Sequence, residues 1–483
     1  MNYRMIFYIL GKILGTLGLL MLLPLITAAL YGESILPFAL PLVLCVAVGI
    51  CLSLKAPKNK RLLSKDGFVC VGLSWIVMSL VGCLPFIISG TIPAFVDAFF
   101  ETVSGFTTTG ATVMADIEAA PKGVLLWRTF THWIGGMGVL VFLLAILPRS
   151  DGKDARFMHL MRAEVPGPTV GKIVPRISDT ARVLYAIYIL LTLIEFVLLA
   201  LGEMNLYEAL AHSLSTAGTG GFGVKNDSIA SYSAYSQYVI AVFMLLFGTN
   251  LSLFYLILTG HFLKAVKSEE LRWYLGIVAV GVATIFIYIY PSLHSGELAF
   301  RQAFFQVSAI ITTTGFITAD FELWPVFTQV VLVLLMFCGG CAGSTAGGMK
   351  ISRLLLLLKN GRREVRYITH PKAVMSIKLE GKRLDHETVR GTTSYIIMLM
   401  GIFVVSSLLI VALENCDLVT GFTAVATSLN NVGPGLSQVG PTDNFAAFSD
   451  PGKLVLCFNM LAGRLELFPI LILFAPSTWK KFA

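Results

Sequence analysis

The chain has 483 residues, of which 56% are apolar and only 13% are charged, against roughly 25% charged residues in soluble domains. A soluble core cannot absorb this much apolar surface, and the mean hydropathy of +0.80 agrees. The formal net charge of +8 comes from 36 basic and 28 acidic residues, and the basic residues concentrate in alternate loops. Because such clustering reports membrane topology, we predict a membrane protein with no nucleic-acid partner.

Two apolar runs, residues 5–30 and 34–54, begin the chain, and a lysine-rich loop follows them. A cleaved signal peptide is the alternative for the first run, but the run is longer than an ordinary signal-peptide core. Lysine and arginine in short loops mark the cytoplasmic side of a membrane. Residues 1–66 are therefore predicted to form two transmembrane helices and a basic cytoplasmic loop, with the N-terminus in the cytoplasm.

The rest of the chain repeats one unit four times: an apolar helix, a short amphipathic helix, a turn with glycine and a second apolar helix. Basic residues follow each second helix and are nearly absent between the two helices, so all four units run in the same direction and the C-terminus is cytoplasmic. The predicted repeats cover residues 67–150, 151–265, 266–360 and 361–483. Their short helices are predicted to begin at residues 93, 207, 299 and 419, and their second apolar helices to cover residues 125–147, 238–262, 326–358 and 454–474. Their turns are Thr107-Thr108-Thr109-Gly110, Gly218-Thr219-Gly220-Gly221, Thr312-Thr313-Thr314-Gly315 and Asn430-Asn431-Val432-Gly433.

Parallel repeats indicate a particular membrane architecture. Many secondary transporters use inverted repeats, whereas four re-entrant segments of one sense converge on one axis, as the filter loops of potassium channels do. Non-helical backbone inside a membrane is tolerated only within protein or along a watery path. We predict an all-α membrane protein with four parallel helix, re-entrant helix and helix repeats around a central pore, plus the two N-terminal helices.

The four turns carry the candidate ion-binding residues. Glycine occupies one register in every turn and supplies the positive φ that aims carbonyl oxygens at the axis. Several carbonyls together can replace the water shell of K⁺, so K⁺ at the turns is the only metal that we predict. The predicted filter residues are Thr108, Thr109, Gly110, Thr219, Gly220, Gly221, Thr313, Thr314, Gly315, Asn431, Val432 and Gly433.

Three carboxylates precede the turns and are predicted to lie at the outer mouth. Asp97, Glu101 and Glu208 would raise the local concentration of cations there. The alternative for each is that it caps the N-terminus of its short helix.

A glycine-rich stretch interrupts the second apolar helix of the third repeat. Several glycines between residues 338 and 349 make a continuous helix improbable, since each costs about 1 kcal/mol relative to alanine. At the same depth in the fourth repeat stands Arg464, which is expected to face the permeation path, because pairing with Glu466 two residues away is unfavourable on a helix. The predicted gate comprises Gly339, Gly340, Gly343, Gly347, Gly348 and Arg464.

The turns and their flanks resemble the Trk family of potassium-uptake membrane subunits (TrkH-like) within the Trk/Ktr/HKT superfamily. The matching segments are residues 97–101 with 104–112, 339–348 and 430–435. The resemblance covers essentially the whole chain. It implies four repeats around one K⁺ pore in a bacterial inner membrane.

The resemblance also implies partners. They are a second copy of the chain, in a homodimer, and a cytosolic nucleotide-binding KTN/RCK-type regulatory subunit (TrkA-like). The nucleotide belongs to that subunit, and no cofactor is expected in this chain. The basic segments 149–182 and 359–390 are candidate docking surfaces, with lipid headgroup contact as the alternative for each.

Two other functions are weighed. A H⁺- or Na⁺-coupled K⁺ transporter would want a titratable side chain on the axis, and the filter registers contain none; His212 lies nearby but is better interpreted as a structural histidine. An intramembrane enzyme would need a nucleophile with a base, or a metal cluster, and the sequence has no convincing pattern of either kind. We therefore predict that the chain is not an enzyme.

Overall fold

The computed structural model describes residues 1–55, 57, 63–138, 177–372 and 376–479. Within these ranges the chain is helical apart from loops and one antiparallel hairpin, which pairs Lys378–Leu379 with Lys382–Arg383. The described part contains six helices that are long and apolar enough to cross a membrane. They are Tyr3–Leu30, Leu36–Ser53, Ser64–Ile88, Asp179–Leu201, Glu269–Leu293 and His386–Glu414.

The first two of these six are the predicted N-terminal helices, and they pack closely on each other. A Cβ atom added at Gly49 would come closer than 3.0 Å to the Gly11 carbonyl oxygen, so glycine is required at this contact. The other four are the first helices of the four repeats, which we call the outer helices. Their exposed leucine, isoleucine and valine side chains form an apolar surface suited to lipid.

A short pore helix follows each outer helix. These helices begin within three residues of the predicted positions, and side-chain caps explain three of the starts. Asn205, Ser295 and Asp417 each accept hydrogen bonds from backbone N–H groups of the first turn. The four pore helices are Phe95–Phe106, Leu206–Gly218, Gly296–Ile311 and Leu418–Asn430.

The second helix of each repeat, which we call the second span, is broken or ends at or next to a glycine. These glycines are Gly135 and Gly136, Gly248, Gly339 and Gly340, and Gly463. The prediction of continuous second spans at 238–262 and 454–474 is therefore wrong, and the continuation predicted for the first repeat to residue 147 lies outside the described residues. In the second repeat the two pieces meet at an angle of 93°. The pieces are Lys122–Gly136; Ala234–Phe247 and Leu251–Leu258; Val326–Met336 and Ile351–Thr369; and Asp450–Arg464 and Phe468–Phe474.

The glycines at the breaks allow the second spans of the first, second and fourth repeats to touch the end of a pore helix. A Cβ atom at Gly135 would come closer than 3.0 Å to the Phe106 carbonyl oxygen, and one at Gly463 would do the same to the Leu429 carbonyl oxygen. A Cβ atom added at Gly248 would come closer than 3.0 Å to the side chain of Thr312. Hydropathy cannot detect such breaks, because the residues on both sides remain apolar.

Two features of the predicted cytoplasmic side differ between the sequence analysis and the structure. The first part of the basic segment 359–390 is helical, because the helix Ile351–Thr369 extends into this segment. The predicted repeat boundary at residue 360 falls inside this helix. The boundary at residue 150 and most of the basic segment 149–182 lie outside the described residues.

We expect Gly463→Ala to destabilise the protein. The added methyl group would overlap the Leu429 carbonyl, and overpacking of a tight interior costs about 1–3 kcal/mol. Thermal unfolding of the detergent-solubilised protein should report a lower midpoint than wild type. The matched control is Gly401→Ala on the outer helix of the same repeat, where an added Cβ meets no atom within 4 Å. Equal midpoints for the two variants would contradict the close approach.

The ring of four turns and the loop beneath it

The four turns share one backbone conformation. In each turn, the second residue before the filter glycine is left-handed with φ of 55° or 56°, and the glycine has φ between 78° and 103°. In each, the N–H of the residue before the glycine donates to a pore-helix carbonyl five residues earlier, at 2.8–3.0 Å. The left-handed residues are Thr108, Thr219, Thr313 and Asn431, and the glycines are Gly110, Gly221, Gly315 and Gly433.

The turns close into a ring in chain order. A Cβ atom added at any filter glycine would come closer than 3.0 Å to a carbonyl oxygen of the next turn, where "next" after the fourth turn is the first. Glycine is therefore needed twice, for its φ and for the space that a neighbouring carbonyl occupies. The carbonyls belong to Gly220, Thr314, Val432 and Thr109, in the order in which they contact the glycines of turns one to four.

The ring forms the floor of a small cavity of about 180 Å³ on the predicted extracellular side. All four filter glycines line this cavity, together with Arg128, Lys225 and Asp443. The rim is braced nearby, where the Asn226 side-chain amide donates to Asp116 at 2.9 Å. This hydrogen bond lowers the pKa of the Asp116 carboxyl below its usual value.

The three predicted mouth carboxylates are engaged in the protein. Asp97 pairs with Lys453 at 2.6 Å, and Glu208 completes the N-terminal cap of its pore helix. Glu101 is fully buried and pairs with Arg128 at 2.6 Å. The expectation that Glu101 lies at the mouth is wrong, because its carboxylate instead accepts from the Val113 N–H and holds the chain that leaves the first turn.

Arg128 was not singled out from the sequence, although an arginine within an apolar run is the signal that could have found it. Its guanidinium lies 3.5 Å from the centre of the Phe222 ring and donates to the Gly223 carbonyl at 3.1 Å. The Glu101–Arg128 pair thus joins the pore helix of the first repeat to the chain that leaves the second turn.

The intramembrane loop, residues 337–350, has no helix and lies directly below the ring. The Gly347 N–H donates to the Thr313 hydroxyl at 2.6 Å, which connects the loop to the third turn. On its other side, the loop fills the break in the second span of the second repeat. There the Cys341 N–H donates to the Gly248 carbonyl at 2.9 Å, and the Leu251 N–H donates to the Gly343 carbonyl at 3.1 Å.

Arg464 joins this loop to the first repeat. Its guanidinium donates to the Thr345 carbonyl and to the carbonyls of Gly135 and Gly136, each at 2.7 Å. The last two carbonyls end a helix, where backbone acceptors lack helical partners and the helix dipole favours a cation. The carboxylate of Glu466 is directed elsewhere, to a pair with Arg353.

A chain of carboxylates connects the loop to the hairpin between the third and fourth repeats. Glu270 accepts from the backbone N–H groups of Ala342 and Ser352 at 2.8 and 3.0 Å. Glu380, in the hairpin turn, accepts from the Glu270 N–H at 3.0 Å and from the Ser268 hydroxyl at 2.8 Å. No local sequence pattern indicates this connection, because its members lie far apart along the chain.

The fold and the ring together define a multi-span membrane transport protein with a four-part pore. Residues 37–481 match the family model TrkH, described as a cation transport protein. The chain belongs to this family, as its resemblance to Trk-family subunits implied.

Similar proteins support the assignment over the full length. The Trk system potassium uptake protein TrkH of Escherichia coli (strain K12) is 37% identical over all of both chains. TrkG of the same strain is 34% identical over 99% of both. The crystal structure of the potassium transporter TrkH from Vibrio parahaemolyticus superposes with a TM-score of 0.89 at 36% identity, covering 99% of this chain and 100% of that one.

Glu101→Gln should destabilise the protein strongly. It removes one charge of a buried pair, which costs about 3–5 kcal/mol, whereas an exposed pair contributes about 0–1 kcal/mol. The control is Glu297→Gln, which breaks the half-exposed pair with Arg301 on another pore helix. Thermal unfolding in detergent should separate the two variants clearly. If both variants lowered the unfolding midpoint by similar amounts, the Glu101–Arg128 pair would stabilise the protein no more than an exposed pair does.

Proposed function

We propose that the chain conducts K⁺ inward across a bacterial inner membrane through the ring of backbone carbonyls. The observation that carries the proposal is the cyclic contact of each filter glycine with a carbonyl of the next turn. Carbonyl oxygens held at a fixed spacing can replace the hydration shell of K⁺. The relatives named as potassium uptake proteins support the same ion.

The composition of the ring favours conduction over coupled transport. The twelve proposed filter residues are threonine, glycine, asparagine and valine, none of which changes charge at physiological pH. The four pore helices also direct their C-terminal, partly negative ends at the turns, which favours a cation there without any titratable group. The K⁺ gradient and the membrane potential are then sufficient to drive uptake.

The intramembrane loop and Arg464 form the proposed gate. A positive charge below a cation filter repels the permeating ion, and Coulomb interactions are stronger in a low-dielectric interior than in water. The guanidinium also holds the loop through the Thr345 carbonyl, and charge-assisted hydrogen bonds are stronger than neutral ones. Opening requires the loop to leave Arg464, which frees the path below the ring.

The proposal includes control from the cytosol. A nucleotide-binding KTN/RCK-type subunit (TrkA-like) would act on the hairpin, since Glu380 and Glu270 connect the hairpin to the loop. The hairpin strands carry Lys378, Lys382 and Arg383, which suit an acidic partner surface. A homodimer, with both termini of each copy in the cytoplasm, completes the proposed assembly.

Gly110→Ser tests the filter. Its side chain would overlap the Gly220 carbonyl, so the ring must widen in one quadrant and discriminate less well between K⁺ and Na⁺. The control is Gly90→Ser in the same repeat, at a similar φ of 73° but with no atom near the added Cβ. The measurement is the flux of K⁺ and of Na⁺ into proteoliposomes that contain each variant.

Two outcomes would contradict the proposal, one in this flux experiment and one in a measurement of the wild-type reversal potential. An unchanged K⁺ to Na⁺ flux ratio in Gly110→Ser would exclude this position from the filter. A wild-type reversal potential that depends on the H⁺ or Na⁺ gradient as well as on the K⁺ gradient would replace conduction by coupled transport.

Arg464→Ala tests the gate. Loss of the guanidinium removes both the charge barrier and the hydrogen bond to the loop, so K⁺ flux without any cytosolic subunit should rise. Shortening the loop between Gly340 and Gly347 should have the same effect. The two changes together should raise flux by less than the sum, because they disable one contact.

Arg301→Ala, at the outer end of a pore helix, is the control for lost positive charge and should leave basal flux unchanged. If Arg464→Ala and the shortened loop conduct like wild type while folding normally, the loop is a packing element and not a gate.

A further inference from the structure

Two of the four turns are braced by a pair of threonine hydroxyls. The Thr107 and Thr109 hydroxyls lie 2.8 Å apart, and those of Thr312 and Thr314 lie 2.7 Å apart. The first hydroxyl of each pair also donates to a pore-helix carbonyl, at 2.7 Å for Thr107 and 2.6 Å for Thr312. Each brace therefore ties the residue whose carbonyl faces the ring to its own pore helix.

The second turn has glycine at both of these positions, Gly218 and Gly220, so it has no hydroxyl brace. The volume is filled from the first repeat by His132. A Cβ atom at Gly220 would come closer than 3.0 Å to three ring atoms of His132, and one at Gly218 would do so with the His132 carbonyl. The two glycines are thus explained by one side chain and its backbone.

His132 is held firmly in this place. The side chain is fully buried, and its ring stacks on Phe222 with centroids 4.2 Å apart and planes at 19°. Its Nδ1 atom lies 3.0 Å from the Ser215 hydroxyl. Ser215 is also the residue whose carbonyl accepts from the Gly220 N–H, at 3.0 Å. The imidazole therefore contacts the pore helix at the hydrogen bond that sets the turn.

We propose that His132 is the positioning residue of the second quadrant and that it sets ion discrimination there in place of the missing threonine pair. The inference rests on the proposed filter function. The His132 ring acts through Gly220, whose carbonyl contacts the glycine of the first turn. Among the residues that the structure describes, the ring's Nε2 atom has no hydrogen-bond partner, so the side chain acts here through its shape and its Nδ1 contact.

The proposal predicts reciprocal rescue. His132→Ala leaves a void beside Gly220 and should lower the K⁺ to Na⁺ flux ratio in proteoliposomes. We expect a decrease of at least about threefold, which lies within the range of coupling energies between residues in direct contact. Gly220→Thr alone should also lower the ratio, because the new side chain overlaps the imidazole. His132→Ala with Gly220→Thr should recover part of the ratio, since the threonine then fills the space that its counterparts occupy in turns one and three, although Gly218 supplies no second hydroxyl.

His212→Ala is the matched control. His212 is equally buried and lies on the neighbouring pore helix, but its Nε2 atom faces the Tyr232 hydroxyl at 3.3 Å instead of a turn. It should cost stability without changing the flux ratio. His132→Asn, which keeps a polar atom near the Nδ1 position, should give a ratio between those of wild type and His132→Ala.

The outcomes separate this inference from the filter itself. If Gly110→Ser lowers the ratio and His132→Ala does not, His132 has only a packing role and the inference fails. If neither lowers it, the filter proposal fails too. Should His132→Ala not fold, the comparison of Gly220→Thr with the double variant decides, and a double variant no better than Gly220→Thr overturns the inference.

Discussion

The structure depends on the contact between each filter glycine and a carbonyl of the neighbouring turn. Lipid cannot hydrogen-bond to the N–H and C=O groups of irregular backbone, so four such turns must be enclosed by protein. Closing them into one ring satisfies this constraint, because each turn then packs against the next one. The glycine breaks in the second spans follow from the same need, because Gly135 and Gly463 let these helices cover the ends of the pore helices.

Buried and half-buried charges join the repeats to one another. Glu101 and Arg128 connect the first and second repeats, Arg464 connects the first, third and fourth, and Glu466 pairs with Arg353 across the third and fourth. Each charge has an opposite charge or several carbonyls as partners, as its burial demands. The same partners restrict which parts can move, so any displacement of the intramembrane loop away from Arg464 must break the hydrogen bond to the Thr345 carbonyl.

The four quadrants share a backbone but not their side-chain support. Threonine pairs support the first and third turns, and Asn431 of the fourth turn donates to the Thr109 hydroxyl at 3.0 Å. The second turn contacts His132 instead. Different side chains can stabilise one conformation because the left-handed residue, the glycine and the closing hydrogen bond recur in all four.

Hydropathy and the repeated turns by themselves determined the two N-terminal helices, the four outer helices, the shared register of the four turns and the glycine interruption at residues 338–349. These features are local, since each depends on a run of neighbouring residues. Only the tertiary structure decided that the second spans of repeats two and four break, that Glu101 is buried and that His132 lies against Gly220. These depend on side chains from different repeats meeting; Asp97 and Lys453, for example, are 356 residues apart, and no local pattern records which distant groups become neighbours.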